Sequence, residues 1–195
     1  LLKNAEVYNT IKNANKYGIK VDNISVDFPA IVKRSRDVSN RLSKGIEFLM
    51  KKNKITHIHG MGKLTSKTTI ETTSGKKIEK VNAKKTIIAT GAHPCTFPGM
   101  EIDGQKVISS REAMMLDAPP KKMIIIGSGA IGCEFASYFN EFGTETHLVE
   151  MLDRVLPIED ADVSKEVTRN FKKFGIKIYT GTKVSSINKL KTKVK

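Results

Sequence analysis

The sequence lacks any run of about 18 apolar residues, so no transmembrane helix is expected and no membrane partner is called for. Its opening, Leu1-Leu-Lys-Asn-Ala-Glu, carries charge and lacks the apolar stretch of a signal peptide. It also lacks an initiator Met, which leads us to expect a fragment or a processed product whose original start could have carried a targeting segment. Cysteine is scarce. Cys95 and Cys133 are far apart and match neither a metal-binding nor a redox spacing, so a reduced intracellular protein is the default. Acidic residues are few beside basic ones, 20 against 34, giving a net charge of +14. Such a balance can recruit nucleic acid. The lysines are scattered, however, and no basic stretch is interleaved with aromatics, so a solvated Lys-rich surface and no nucleic-acid partner are expected. Internal repeats and low-complexity segments are absent too. The 39% hydrophobic share is that of an ordinary globular chain with one good core or two small ones.

What is present falls into two textures. Residues 1–17 read as a helix, with Gly18 as its C-terminal cap and a short extended piece at Ile19–Val21. Residues 28–53 read as a long helix with Pro29 in its first turn and a stripe of Ile31, Val38, Leu42, Ile46 and Leu49. Period-two alternation then predicts a small antiparallel meander over 55–81, turning at Ser74-Gly75, and it feeds a buried strand at Thr86–Ile88. A short helix over 109–116 carries a serine N-cap. After Pro119-Pro120 the pattern becomes strand–helix–strand–helix–strand, opening with a doubly buried strand at Met123–Ile126. That alternation implies an α/β fold with a parallel sheet. The last residues, Lys189–Lys195, read as an element cut short.

The strongest local signal is Gly127-Ser128-Gly129-Ala130-Ile131-Gly132. It follows the strand 122–126, opens a helix over 130–142 and precedes a second strand over 145–149 that ends in Glu150. A glycine pattern alone is weak, but this one has every context that dinucleotide binding needs. Gly127 permits the tight turn, Gly129 lets backbone approach a pyrophosphate, and Gly132 lets the helix pack against the sheet. The pyrophosphate would lie over the unpaired amides of the helix N-terminus. Glu150 can accept from ribose hydroxyls and would repel a 2′-phosphate, which favours NAD over NADP. The fingerprint is shared by FAD.

The remaining candidates read as structural. Cys133, on the first helix of the loop, is expected to be a buried inert thiol, and Cys95 a bystander in a connector. His57 and His59 alternate like a metal pair but have no third ligand, and His93 and His147 are uninformative. Glu159, Asp160 and Asp162 suit the N-terminus of a helix over 161–174 rather than a metal. No metal site is expected.

Further segments separate the two dinucleotides: Thr86-Ile-Ile-Ala-Thr90-Gly91-Ala-His-Pro94 upstream of the glycine loop, then Val149-Glu150-Met-Leu-Asp153-Arg154-Val-Leu-Pro157, Gly175-Ile-Lys-Ile and Thr182-Lys-Val184. Together they resemble the pyridine nucleotide-disulfide oxidoreductases, above all the members that oxidise protein-bound dihydrolipoamide with NAD⁺. The resemblance covers nearly the whole chain and is sharpest at Ala-Thr-Gly and the glycine loop. It implies the two-dinucleotide-binding flavoprotein fold, with a partial FAD domain over 1–118 and most of a Rossmann NAD domain over 119–195. It implies FAD contacts at Gly62, Thr90, Gly91 and Ala92. It implies NAD contacts at Gly127, Ser128, Gly129, Ala130, Ile131, Gly132, Cys133, Glu134, Glu150 and Val184, with Glu134 near the nicotinamide and flavin. The family's Cys-x4-Cys disulfide and His-Glu acid-base pair match nothing here, so no catalytic residue is expected in this chain and the isolated piece should be inactive. The resemblance further implies a lipoylated acyltransferase domain of a 2-oxo acid dehydrogenase complex as partner, a homodimer when intact, and a cytoplasmic location, or the mitochondrial matrix in a eukaryote. Another NAD(P)H-dependent flavin disulfide or metal-ion reductase, or a non-catalytic fragment, is the alternative.

Overall fold

The computed structural model describes residues 1–190 and Val194. Its contacts divide the chain into two compact units, Leu1–Arg36 with Pro94–Lys195, and Asp37–His93.

In the first unit, α1 (Leu2–Lys12) runs into a 3-10 turn (Ala14–Tyr17) that Gly18 ends at φ +75°. No regular structure forms at 19–21, where a short extended piece was expected. Helix α2 (Phe28–Lys52) starts in this unit, and Phe28 and Val32 in its first turns are buried. They form one core with Ala5, Ala113, Tyr138 and Phe139. The short helix α3 (Ser110–Ala113) is fixed by a capping box: Ser109 accepts from the Arg111 amide, while Glu112 accepts from the Ser109 amide at 2.7 Å. Strands β4 (Lys122–Ile126), β5 (Glu145–Val149) and β6 (Lys177–Tyr179) make a parallel sheet in the order β4-β5-β6. They are linked by α4 (Ala130–Glu141) and α5 (Ala161–Lys173), whose first turn Asp160 caps by accepting from the Asp162 amide at 2.8 Å. A second core, of Cys133, Ala136, Leu148, Val155, Phe171 and Ile176, fills the space between these helices and one sheet face. The three linked strands confirm the parallel α/β reading, but β4 is not buried on both faces. Met123 and Ile125 are half-buried, whereas Ile124 and Ile126 are exposed, because the core packs against one side of the sheet only.

In the second unit, β1 (Met61–Leu64), β2 (Thr69–Ser74) and β3 (Lys77–Asn82) form the expected antiparallel meander, and Gly75 supplies the positive φ of the β2–β3 turn. The buried strand expected at Thr86–Ile88 does not form. Ile87 is 91% exposed, since among the described residues no strand pairs with this segment.

Candidate functional site

The glycine loop lies where β4 ends and α4 begins. Gly127 has φ +98°, a conformation that L side chains rarely adopt, and its amide donates to the Val149 carbonyl at 2.8 Å. The first core strand therefore turns sharply while staying tied to β5. A Cβ on Gly132 would stand 2.0 Å from the Gly127 carbonyl oxygen, so only glycine lets the helix start this close to the strand. A Cβ on Gly129 would meet nothing within 4 Å. Gly129, Ala130 and Ile131 are exposed, so the start of α4 lies at the surface. Backbone donors and the positive end of the helix dipole thus converge where a pyrophosphate can approach. The loop fits a dinucleotide.

Glu150 follows β5 and is buried, yet its carboxylate is well supplied with donors. Oε2 accepts from the Ser128 amide at 2.8 Å and from the Ser128 hydroxyl at 3.0 Å, and Oε1 accepts from the Leu152 amide at 2.9 Å. Burial alone would raise its pKa. The bonds from Leu152, Ser128 and Met151 outweigh that and hold it below the ordinary value, so the group is anionic at neutral pH. Glu150 therefore reaches the glycine loop as expected, but it is first of all a ligand of the loop itself.

Ser128 is fully buried, and its carbonyl accepts from the Leu156 amide at 2.9 Å and from the Cys133 thiol at 3.3 Å. Leu156 sits at φ +50°. The 150–157 segment thereby wraps back onto the loop, an arrangement that motif spacing did not announce; the small hydroxyl residue inside the glycine pattern was its one trace. Cys133 is buried, and desolvation, with the nearby Glu150 and Glu134 charges, pushes its thiol up to about 11, so it is an unreactive packing group. Glu134, one position on, is exposed. Val184 is half-buried beyond β6. A cavity of about 580 Å³, lined among others by Asp153, Arg154, Lys165, Arg169 and Thr180, opens between the 153–155 segment and α5.

The other expected contacts belong to the second unit. Gly62 is exposed in β1 opposite Thr72, and Thr90, Gly91 and Ala92 are exposed in a segment without regular structure, Gly91 at φ +78°. His57 and His59 lie 4.0 Å apart between ring centres, but no group of three metal-ligating side chains occurs among the described residues. No helix among the described residues is long and apolar enough to cross a membrane.

Comparison with known proteins agrees with this geometry. Residues 2–195 match the family described as "Pyridine nucleotide-disulphide oxidoreductase". The dihydrolipoyl dehydrogenase of Chlorobaculum parvum is 42% identical over 191 residues, covering 96% of this chain and 40% of that protein. That of Zymomonas mobilis is 43% identical over 190 residues, with the same coverage. The crystal structure of LpdA from Mycobacterium tuberculosis superposes with a TM-score of 0.89 at 25% identity, covering 99% of this chain and 43% of that one. This chain thus spans about 40% of the length of the relatives it matches. The exposed glycine loop, its acidic partner and these matches make the chain a member of the pyridine nucleotide-disulphide oxidoreductase family, whose enzymes use FAD and NAD.

Proposed function

We propose that this chain is the cofactor-coupling middle of a dihydrolipoyl dehydrogenase, the NAD-dependent flavoprotein that oxidises protein-bound dihydrolipoamide. The reading rests on one observation above others: the exposed start of α4, at Gly129, Ala130 and Ile131, lies beside an anionic Glu150 tied to the same loop. When bound, FAD and NAD would carry the electrons between the dithiol and the nicotinamide. The chain's own part is to bind and to select. The α4 N-terminus offers its amides to the pyrophosphate, with Gly127, Ser128, Gly129, Ala130, Ile131, Gly132 and Cys133 shaping the turn. Glu150 faces the adenosine ribose, where its negative charge disfavours a 2′-phosphate. Glu134, exposed on α4, would lie near the nicotinamide and flavin, and Val184 would border the adenine.

Gly62, Thr90, Gly91 and Ala92 would contact FAD in a partial FAD domain over 1–118, with the NAD domain over 119–195. The only two cysteines are unpaired, one exposed and one buried, so this chain supplies no redox disulfide and is inactive by itself. The intact protein would act as a cytoplasmic or mitochondrial-matrix homodimer on the lipoylated acyltransferase domain of a 2-oxo acid dehydrogenase complex.

The test is the cofactor preference of a Glu150→Arg variant of the full-length enzyme. The ratio of kcat/KM for NAD⁺ over NADP⁺ should fall by about two orders of magnitude, close to 3 kcal/mol of altered transition-state binding. An unchanged ratio removes Glu150 from ribose selection and takes the NAD reading with it.

A further inference from the structure

We propose that Ser128 is a positioning residue for cofactor selection: it holds the Glu150 carboxylate in the one orientation that suits an unphosphorylated ribose. This rests on the NAD reading above and assigns the selectivity to a pair of residues rather than to the acid alone.

The geometry carries the argument. A carboxylate has about four acceptor positions. Ser128 fills two of them on Oε2, with its amide at 2.8 Å and its hydroxyl at 3.0 Å, and the Leu152 amide fills one on Oε1 at 2.9 Å. The Met151 amide also supports the carboxylate, and the room left for a ribose hydroxyl is on the Oε1 side, its direction fixed because Oε2 is pinned at two points. A singly held carboxylate could rotate about its last torsion, which is soft in glutamate. A rotated group could present its charge elsewhere and leave room for a phosphate.

Ser128 is itself immobilised. It is 0% exposed, and its carbonyl takes the Leu156 amide at 2.9 Å and the Cys133 thiol at 3.3 Å. The bond from Leu156 comes from a residue at φ +50°, a conformation that persists only where the surroundings over-determine it. Three of the four polar contacts of Ser128 therefore join the glycine turn to segment 150–156, and the fourth ties it to α4 through Cys133. Alanine at 128 would keep the amide bond and the turn but lose the hydroxyl, and it is smaller, so the buried site accepts it without overpacking.

The experiment is a double-mutant cycle in the full-length holoenzyme: wild type, Ser128→Ala, Glu150→Gln and the double variant, each measured for kcat and KM with NAD⁺ and with NADP⁺. Ser128→Ala should lower the NAD⁺/NADP⁺ ratio of kcat/KM about 5-fold, part of what a hydrogen bond to a charged group supports. The loss should fall on KM for NAD⁺ more than on kcat, and it should shrink to nothing in the Glu150→Gln background. A ratio unchanged in Ser128→Ala but lowered in Glu150→Gln overturns the positioning role and leaves the NAD reading standing. A ratio unchanged in Glu150→Gln overturns both. Equal losses with both cofactors, or additive effects in the cycle, also overturn it, because they describe a merely structural serine.

Discussion

The described residues form two three-stranded sheets, and only one of these has a core. In β4-β5-β6, Leu148 and Thr146 on the central strand are completely buried beneath the helices. In β1-β2-β3 the register is continuous from Thr69↔Asn82 to Ser74↔Lys77, yet among the described residues no side chain between Asp37 and His93 is buried. The lesson is that backbone pairing sets register while burial sets stability. A net hydrogen bond is worth only about 0.5–1.5 kcal/mol, and a two- or three-stranded ribbon without an apolar face is marginal in water. The apolar side chains are present in the second unit: Leu42, Ile46 and Leu49 lie along α2, and Ile87 and Ile88 follow the meander, but each of them is exposed.

The largest effect expected from this contrast is on stability. Leu148→Ala should destabilise the fold by about 2–5 kcal/mol, because it opens a cavity in a closed core. Leu42→Ala should stay within about 0.5 kcal/mol, since it removes an exposed side chain. Urea unfolding of the 195-residue chain followed by circular dichroism measures both. Equal costs would mean that the second unit has a core after all, and the comparison would fail.

A smaller, sharper contrast lies within the glycine loop. Gly132→Ala puts a Cβ 2.0 Å from a backbone oxygen, so the helix or the turn must shift; overpacking of this kind costs about 1–3 kcal/mol. Gly129→Ala meets no protein atom and has φ −67°, so its stability should change by no more than about 0.5 kcal/mol. Its new methyl would still stand where the pyrophosphate approaches. Thermal unfolding should separate the two variants, while both should weaken NAD⁺ binding by calorimetry. If Gly129→Ala binds NAD⁺ normally, the phosphate does not lie against that glycine.

The same two regions explain how much could be read from the sequence. The loop was legible because each part of it answers a local demand: a turn at Gly127, a close contact at Gly132, an acid after the second strand. Helix α2 was legible from its apolar stripe, α4 from the glycine loop that opens it, and α5 from the acidic residues at its start. The strands at 86–88 and 123–126 were read from apolar runs, which report that a segment is suited to burial but not whether neighbours exist to bury it. Ile87 and Ile124 show that difference directly. Ser128 was read only as part of the glycine loop, and its tie to Glu150 and to Leu156 escaped for another reason. These contacts depend on groups that the fold brings together from distant positions, partly backbone ones, which leave no mark in composition or period.

The smallest expected effect concerns the open face of the β4-β5-β6 sheet, which charge rather than burial organises. Glu145 on β5 accepts from Lys177 at 2.6 Å, pairs with Lys122 at 3.0 Å and lies 3.0 Å from a ring nitrogen of His147, which stacks on Tyr179. The Lys177 bond first, then those of Lys122 and His147, lower the Glu145 pKa from 4.5 to about 2. A carboxyl depressed on folding stabilises the fold fully above its unfolded value, and the contribution disappears as pH falls through the folded one. The advantage of wild type over Glu145→Gln in melting temperature should therefore be constant above pH 5, decline between pH 4.5 and about 2, and vanish below. Added salt should shrink it at neutral pH, because the group is solvent-facing and screened. A difference that persists unchanged at pH 2 would assign the effect to side-chain shape, and the exposed face would then be held by packing, like the buried one.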